Sequence, residues 1–193
     1  NRYEYVPNFR FSKIINDNYS FRSKGYYKKY NTNITEKVLI NDLEFNSNLK
    51  YFDNGLTNNQ KLFVKNVNSG SKNSSKYKNK NSSTLIPAFQ TNYTYPLQRQ
   101  TPEFNYTITP KLSINLSTPH TKDVRRNNAI INYDNIYDIN RLGMEEVNEG
   151  GISATYGYEY TKIDKSNFNQ KIKFGFANNL RLNENKDLPN NTN

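Results

Sequence analysis

The stretch Gly150–Tyr160, which reads GGISATYGYEY, decides the fold class. After the two glycines, apolar or aromatic side chains occupy every even position, and small or polar side chains occupy every odd position. This two-residue period is that of a β-strand with unlike faces. In a soluble sandwich the apolar face would form a protein core, whereas in an outer-membrane barrel it would face lipid.

The same alternation runs through most of the chain. It does not slip between Phe104 and Ser117, and it recurs between Phe168 and Leu182 with two interruptions. Strands of soluble proteins are mostly about 5 to 6 residues long, whereas membrane-crossing strands need about 10 alternating residues. No segment shows a helical stripe, and none approaches the ~20 apolar residues of a membrane helix. We therefore predict an all-β antiparallel meander of about nine strands, as a segment of a large transmembrane β-barrel.

The strand-like runs predict one outer-membrane barrel domain over residues 1–193, with two long loops. The first, at about 67–83, is basic and of low complexity, and the second spans about 118–151. Since the chain begins with Asn1 and shows no signal-peptide pattern, we interpret it as an internal fragment. Turn-forming residues separate the other runs, at 53–55, 69–70, 148–151 and 162–167.

The composition is aromatic and basic. Only 34% of residues are hydrophobic and the mean hydropathy is −0.99, yet the chain holds 16 Tyr and 11 Phe. Tyrosine suits a boundary between water and an apolar phase. A formal charge of +10 favours polyanionic partners such as nucleic acid, anionic lipid or the phosphates of lipopolysaccharide. The absence of cysteine excludes disulfides and thiolate chemistry within these residues.

The alternation assigns side chains to the two faces of the predicted barrel. Pro110 cannot donate to a ladder, so we predict a bulge at this position. The apolar parity is predicted to face lipid, through Tyr106, Ile108, Leu112, Ile114, Ile152, Tyr156 and Tyr158. Basic residues of the polar parity are candidates for lining the lumen and contacting lipopolysaccharide, with general solvation as the alternative: Lys111, Lys171, Lys173 and Arg181.

The second long loop carries a motif. Residues 134–143 read DNIYDINRLG, and residues 147–151 read VNEGG. Within the motif, Arg141 is expected to pin the loop by pairing with Asp138 or Asp134. The residues of this loop-pinning motif are Asp134, Asp138, Asn140, Arg141, Gly143, Gly150 and Gly151.

Together with the segment ITPK at 108–111, these residues resemble the barrel region of the LPS-assembly outer-membrane proteins, the LptD or organic-solvent-tolerance family. In that family a Leu-Thr-Pro-Lys-like segment precedes a loop with Asp-Asn-(Ile/Leu)-Phe-x-(Leu/Ile)-Asn-Arg, a Val-Glu-Gly-Gly turn and a Tyr-Gly-rich strand. Two departures are Tyr137 in place of Phe and the additional Asn148. The resemblance covers most of the chain and is strongest over 104–160.

The resemblance implies a non-enzymatic barrel in the outer membrane of a Gram-negative bacterium, without a cofactor. Such a barrel receives lipopolysaccharide from periplasmic Lpt bridge proteins, pairs with an LptE-like plug lipoprotein and releases its cargo into the outer leaflet. Its partners would include outer-membrane lipid and exclude nucleic acid. The lateral gate would lie outside this middle part of the barrel.

Two other classes stay open at this point. A porin, receptor or adhesin barrel would share the alternation, and basic charge interleaved with aromatic residues is also typical of nucleic-acid-binding β proteins. Enzymatic function has little support, because His120 is the only histidine and no catalytic or phosphate-binding motif accompanies it. We predict no catalytic and no metal-ligating residues.

Overall fold

A computed structural model describes residues 3–118, 124–125, 128–182 and 188, with side chains described from residue 6 onward. These residues form one antiparallel sheet, as predicted, and no helix among them is long and apolar enough to cross a membrane. The strands are β1 (Tyr3–Tyr5), β2 (Asn8–Ile14), β3 (Tyr19–Tyr30), β4 (Thr35–Asn46), β5 (Lys50–Tyr51), β6 (Thr57–Lys72), β7 (Ser82–Thr94), β8 (Leu97–Gln100), β9 (Phe104–Ser117), β10 (Gly151–Asp164) and β11 (Gln170–Arg181).

The sheet is a meander. Its strand order is β1-β3-β4-β6-β7-β9-β10-β11, and β2, β5 and β8 pair with β3, β6 and β9 respectively. The main path thus has eight strands, close to the predicted nine, and the three additional short pieces bring the sheet to 11 strands. Among the described strands β11 pairs with β10 alone, so the sheet has open edges and is not a closed barrel.

Connections differ between the two ends of the sheet. The predicted loop at 67–83 is shorter than expected, because β6 continues through Lys72 and β7 begins at Ser82. Gly70 therefore lies in a strand rather than in a turn. A Cβ atom added to Gly70 would stand 2.5 Å from Oδ1 of Asn81. One end of the sheet carries the turns 15–18, 52–56, 101–103 and 165–169, and the other carries the connections 31–34, 73–81 and 118–150.

Pro110 lies within β9, opposite Tyr158 of β10, and the predicted bulge is absent from this pairing. The Tyr95 amide donates to the Pro110 carbonyl at 3.1 Å, so the backbone polar groups of Pro110 face β7 and β8. On that side the ladder is interrupted between Thr94 and Leu97. The missing N–H of proline therefore costs the sheet no paired hydrogen bond.

The two faces of the sheet differ in exposure. One face, which we name the open face, carries most of the large apolar side chains. Examples are Tyr156 opposite Leu112 and Ile152 opposite Leu116, and these four side chains are exposed. The other face, which we name the covered face, carries residues such as Thr155, only 3% exposed. This distribution is the reverse of that expected for a protein sheet in water.

Two small apolar clusters lie on the covered face beneath the connections. Val38, Ile40 and Val67 pack with Tyr77 of the 73–81 connection. The second cluster consists of Phe63, Ala88 and Ile139.

Candidate functional site

Residues 128–150, which we name the covering loop, lie on the covered face of the sheet. The amide of Gln90 in β7 donates to the Tyr137 carbonyl at 3.1 Å. Lys65 of β6, 1% exposed, donates to the Glu145 carbonyl at 2.8 Å and to Oδ1 of Asp42 at 2.7 Å. Backbone groups of the covering loop are thus satisfied by side chains of the sheet.

A buried ion pair forms the centre of the contact. Arg141, 3% exposed, donates through Nε and Nη2 to both carboxylate oxygens of Glu149. Its Nη1 donates to Oδ1 of Asn179 at 2.6 Å, and Nε of Arg181 donates to the same carboxylate at 2.8 Å. Burial opposes the ionisation of Glu149, but the hydrogen bonds and charges of Arg141 and Arg181 outweigh it and hold the pKa of this carboxyl below its ordinary value.

Arg141 pairs with Glu149, so the predicted pairing with Asp138 or Asp134 is wrong. Asp134 and Asp138 are exposed, whereas Arg141 is buried with Glu149. The reason is a tight turn in which the Asp138 amide donates to the Asn135 carbonyl, so both aspartates lie on the solvent side. The three glycines of the motif lie at changes of chain direction: Gly143 and Gly151 have φ of 62° and 96°, and Gly150 directly precedes β10. The remaining residue, Asn140, has a buried Oδ1 atom without a hydrogen bond.

Two tyrosines of the covering loop pack over two glycines of the sheet. A Cβ atom on Gly175 would stand 2.2 Å from the Tyr133 ring, and one on Gly157 would stand 2.6 Å from the Tyr137 hydroxyl oxygen. The Tyr133 hydroxyl donates to Glu159 at 3.2 Å. Burial raises the pKa of each tyrosine to about 12, and the charge of Glu159 contributes to both shifts.

The four basic residues predicted on the polar parity all lie on the covered face, and each has a carboxylate partner. Lys111 and Lys173 both contact Glu159, at 3.1 and 3.6 Å. Lys171 contacts Asp164 at 3.5 Å. Arg181 contacts Glu149, as described above. Because Lys111 and Lys173 share Glu159, and Arg181 shares Glu149 with Arg141, these charges are only partly compensated within the protein.

The seven residues predicted to face lipid lie together on the open face, as their cross-strand registers require. Two of them, Tyr106 and Ile114, are half-buried by their neighbours. The exposed ones are Ile108, Leu112, Ile152, Tyr156 and Tyr158.

Sequence reasoning missed the role of the loop glutamates. Glu145 pairs with Lys24 and lies 3.9 Å from Arg10, while Glu146 pairs with Lys76 at 2.8 Å. Their partners are distant in sequence, 70 residues away for Glu146, so no local pattern identifies them. The only available signal was a group of acidic residues in a strongly basic chain. His120 lies outside the described residues.

No protein-family model and no curated protein matches this chain. The function of this chain therefore has to be inferred from its sequence and from the geometry of the sheet and of the covering loop.

Proposed function

We propose that this chain is part of an outer-membrane β-barrel that moves lipopolysaccharide toward the outer leaflet. In this proposal the open face contacts lipid, and the covered face lines a hydrated interior. One observation carries the proposal: the open face exposes large apolar side chains, whereas the covered face holds buried polar side chains and paired charges.

The exposed fractions of four side chains illustrate this distribution. Phe174 and Phe176 of β11 are 51% and 53% exposed, whereas Lys65 and Arg141 are almost completely buried. A protein in water loses stability on both counts, since apolar surface stays hydrated and charges are desolvated. A barrel in a bilayer gains on both, because lipid covers the aromatic residues and the polar interior holds paired charges.

The connections and the covering loop support a curved sheet. Glu145 and Glu149 lie at most ~14 Å apart along an extended chain. Their partners Lys24 and Arg181 stand on β3 and β11, six strand positions apart, which is roughly 29 Å across a flat sheet. A sheet that curls around its covered face brings these strands closer to the loop. The turns at one end and longer connections at the other are typical of membrane barrels.

The resemblance to LPS-assembly proteins supports lipopolysaccharide as the cargo. It rests on the motif that contains Arg141 and Glu149, whose pair holds the covering loop on the covered face. The same face carries Lys111, Lys171 and Lys173, which can form charge-assisted hydrogen bonds with phosphorylated sugars. Under this proposal the partners are the Lpt bridge proteins, an LptE-like plug and outer-membrane lipid. The chain moves its cargo without covalent chemistry.

A spin-label scan from Ile152 to Tyr160 tests the facing, in a background from which any cysteine outside these 193 residues has been removed. In the full-length protein in outer membranes, we expect labels at even positions to be relaxed by oxygen, the apolar quencher. Labels at odd positions should be shielded or relaxed by a water-soluble nickel chelate. If even positions are shielded from both quenchers, they form a packed core, and a soluble nucleic-acid-binding protein replaces the barrel.

Photo-crosslinking separates lipopolysaccharide transport from other barrels. A benzophenone side chain at Thr109, on the covered face, should form adducts with lipopolysaccharide that disappear when periplasmic supply is blocked. A porin, receptor or adhesin would form no such supply-dependent adduct at this position.

A further inference from the structure

We propose that a cavity on the covered face binds a phosphate-bearing sugar, and that Glu145 occupies its cationic part as an internal substitute for this ligand. The cavity, of about 450 Å³, lies between β2, β3, β4, β6 and the covering loop. A sugar-phosphate site at this place extends the proposed function. It rests on that function only for the biological source of the sugar phosphate.

Three cations surround the cavity from neighbouring strands. Arg10 of β2, Arg22 and Lys24 of β3 all line it. Arg22 also contacts Glu44 at 3.6 Å, whereas Lys24 and Arg10 both converge on the Glu145 carboxylate. Guanidinium and ammonium groups arranged around a single carboxylate are equally suited to the oxygens of a phosphate.

The Glu145 carboxylate is the replaceable member of this group. Its side chain is 62% exposed, and that of Arg10 is 79% exposed. Lys24 is only 24% exposed, but an ion pair with one mostly exposed partner is still weakened by water. The hydrogen bond from Lys24 holds the pKa of Glu145 below its ordinary value, so the carboxylate is a charged competitor at neutral pH.

The fourth cation of the cavity has a different role. Lys65 is buried and is already paired with Asp42 and with the Glu145 carbonyl. This lysine, together with the pair of Arg141 and Glu149, keeps the covering loop in place. The Glu145 side chain can therefore leave Lys24 without release of the loop backbone.

A second observation at the cavity indicates a hydroxyl-bearing ligand. Asn140 lines the same cavity, and its Oδ1 atom is buried without a hydrogen bond in the protein. A buried carbonyl oxygen without a partner carries a free-energy cost that a donor would remove. A phosphate contacting Lys24 and Arg10 places a sugar hydroxyl near Asn140, and this hydroxyl can donate to the buried Oδ1 once the side chains of the cavity wall have moved aside.

Isothermal titration of the full-length protein in detergent micelles tests this site. The probes are glucose 1-phosphate, inorganic phosphate and glucose. We expect glucose 1-phosphate to bind more tightly than either of the others. Glu145→Gln should tighten its binding about two- to five-fold by removing the competitor. Lys24→Gln should weaken it about ten-fold by removing a charge-assisted hydrogen bond. Asn140→Ala should reduce the preference for the sugar phosphate over inorganic phosphate.

Glu103→Gln is the matched control, because it makes the same charge change at an exposed residue in the turn at the opposite end of the sheet. The proposal is overturned if Glu145→Gln has no more effect than Glu103→Gln, or if Lys24→Gln leaves binding unchanged. Circular dichroism of each variant verifies that the sheet is intact. Sugar-phosphate binding without lipopolysaccharide adducts at Thr109 would contradict only the proposed function, whereas adducts with no response to Glu145→Gln would contradict only this site.

Discussion

Arg141 and Glu149 are eight residues apart in sequence and form a bidentate ion pair that is buried against the covered face. Arg181 of β11 contacts the same carboxylate. One carboxylate therefore joins two parts of the covering loop to the last described strand. The contact of Glu149 with Arg181 is the ionic connection between the loop motif and the sheet.

Replacing this carboxylate should destabilise the folded protein. Glu149→Gln leaves two guanidinium groups without their anion, and removing one partner of a buried pair costs about 3–5 kcal/mol. Urea unfolding in detergent micelles, followed by circular dichroism, measures the change. Glu103→Gln, at an exposed site, should change the free energy of unfolding by less than about 0.5 kcal/mol. Equal stability of the two variants would show that the pair contributes nothing to folding.

The contribution of Glu149 should depend on pH. Its pKa in the folded protein lies below the ordinary value of 4.5, so near that pH the unfolded chain binds more protons than the folded one. The stabilisation is present above pH 4.5 and is lost as the pH falls through the lower folded pKa. The difference in unfolding free energy between the wild type and Glu149→Gln should therefore shrink from pH 7 to pH 3. A difference that stays constant over this range would contradict the assignment.

Strand alternation could be predicted from the sequence because neighbouring residues determine it. Tyr156 and Thr155 lie on opposite faces as the period requires, with different exposure. Contacts across the sheet could not be predicted in the same way. The pairing of Arg141 with Glu149 rather than Asp138 depends on how the loop turns, and the pairing of Glu145 with Lys24 depends on where the loop crosses the sheet.

The continuation of β6 through a predicted turn was equally hidden from the sequence. The turn at 69–70 was assigned from Ser and Gly alone, yet Gly70 lies in β6, with Asn81 filling the space beside it. A glycine that accommodates a distant side chain cannot be distinguished locally from a glycine that permits a turn.

Gly175 and Tyr133 should be energetically coupled. A methyl group on Gly175 would overlap the Tyr133 ring, so Gly175→Ala should destabilise the protein by about 1–3 kcal/mol. In a Tyr133→Ala background the overlap is absent, and the same change should become neutral or slightly stabilising, because alanine restricts the unfolded chain. The four unfolding free energies of this double-mutant cycle test the contact directly.

Gly157 provides the contrasting case. A Cβ atom there would stand 2.0 Å from the Phe176 carbonyl oxygen as well as close to the Tyr137 hydroxyl. Since the nearest atom belongs to the backbone of the adjacent strand, Tyr137→Ala should not relieve Gly157→Ala. The packing described for the covering loop would be contradicted if Tyr137→Ala restored the stability lost in Gly157→Ala. It would also be contradicted if Tyr133→Ala failed to restore the stability lost in Gly175→Ala.

Adjacent residues of β9 offer a matched test of which face meets lipid. Ile108 is exposed on the open face, and Thr109 lies on the covered face opposite Glu159. An arginine facing the middle of a bilayer costs about 2–4 kcal/mol, whereas an arginine in a polar interior beside a carboxylate costs far less. Ile108→Arg should therefore reduce assembly into outer membranes more than Thr109→Arg, as measured by the folded fraction in membrane extracts.

Thr155 also lies on the covered face but would be a poorer control than Thr109. Thr155 is buried beneath the covering loop, and its hydroxyl donates to Asn179 at 2.9 Å. An arginine at position 155 would disturb the loop whatever surrounds the open face. If Ile108→Arg and Thr109→Arg assemble equally well, the open face does not meet lipid, and another protein surface has to cover it.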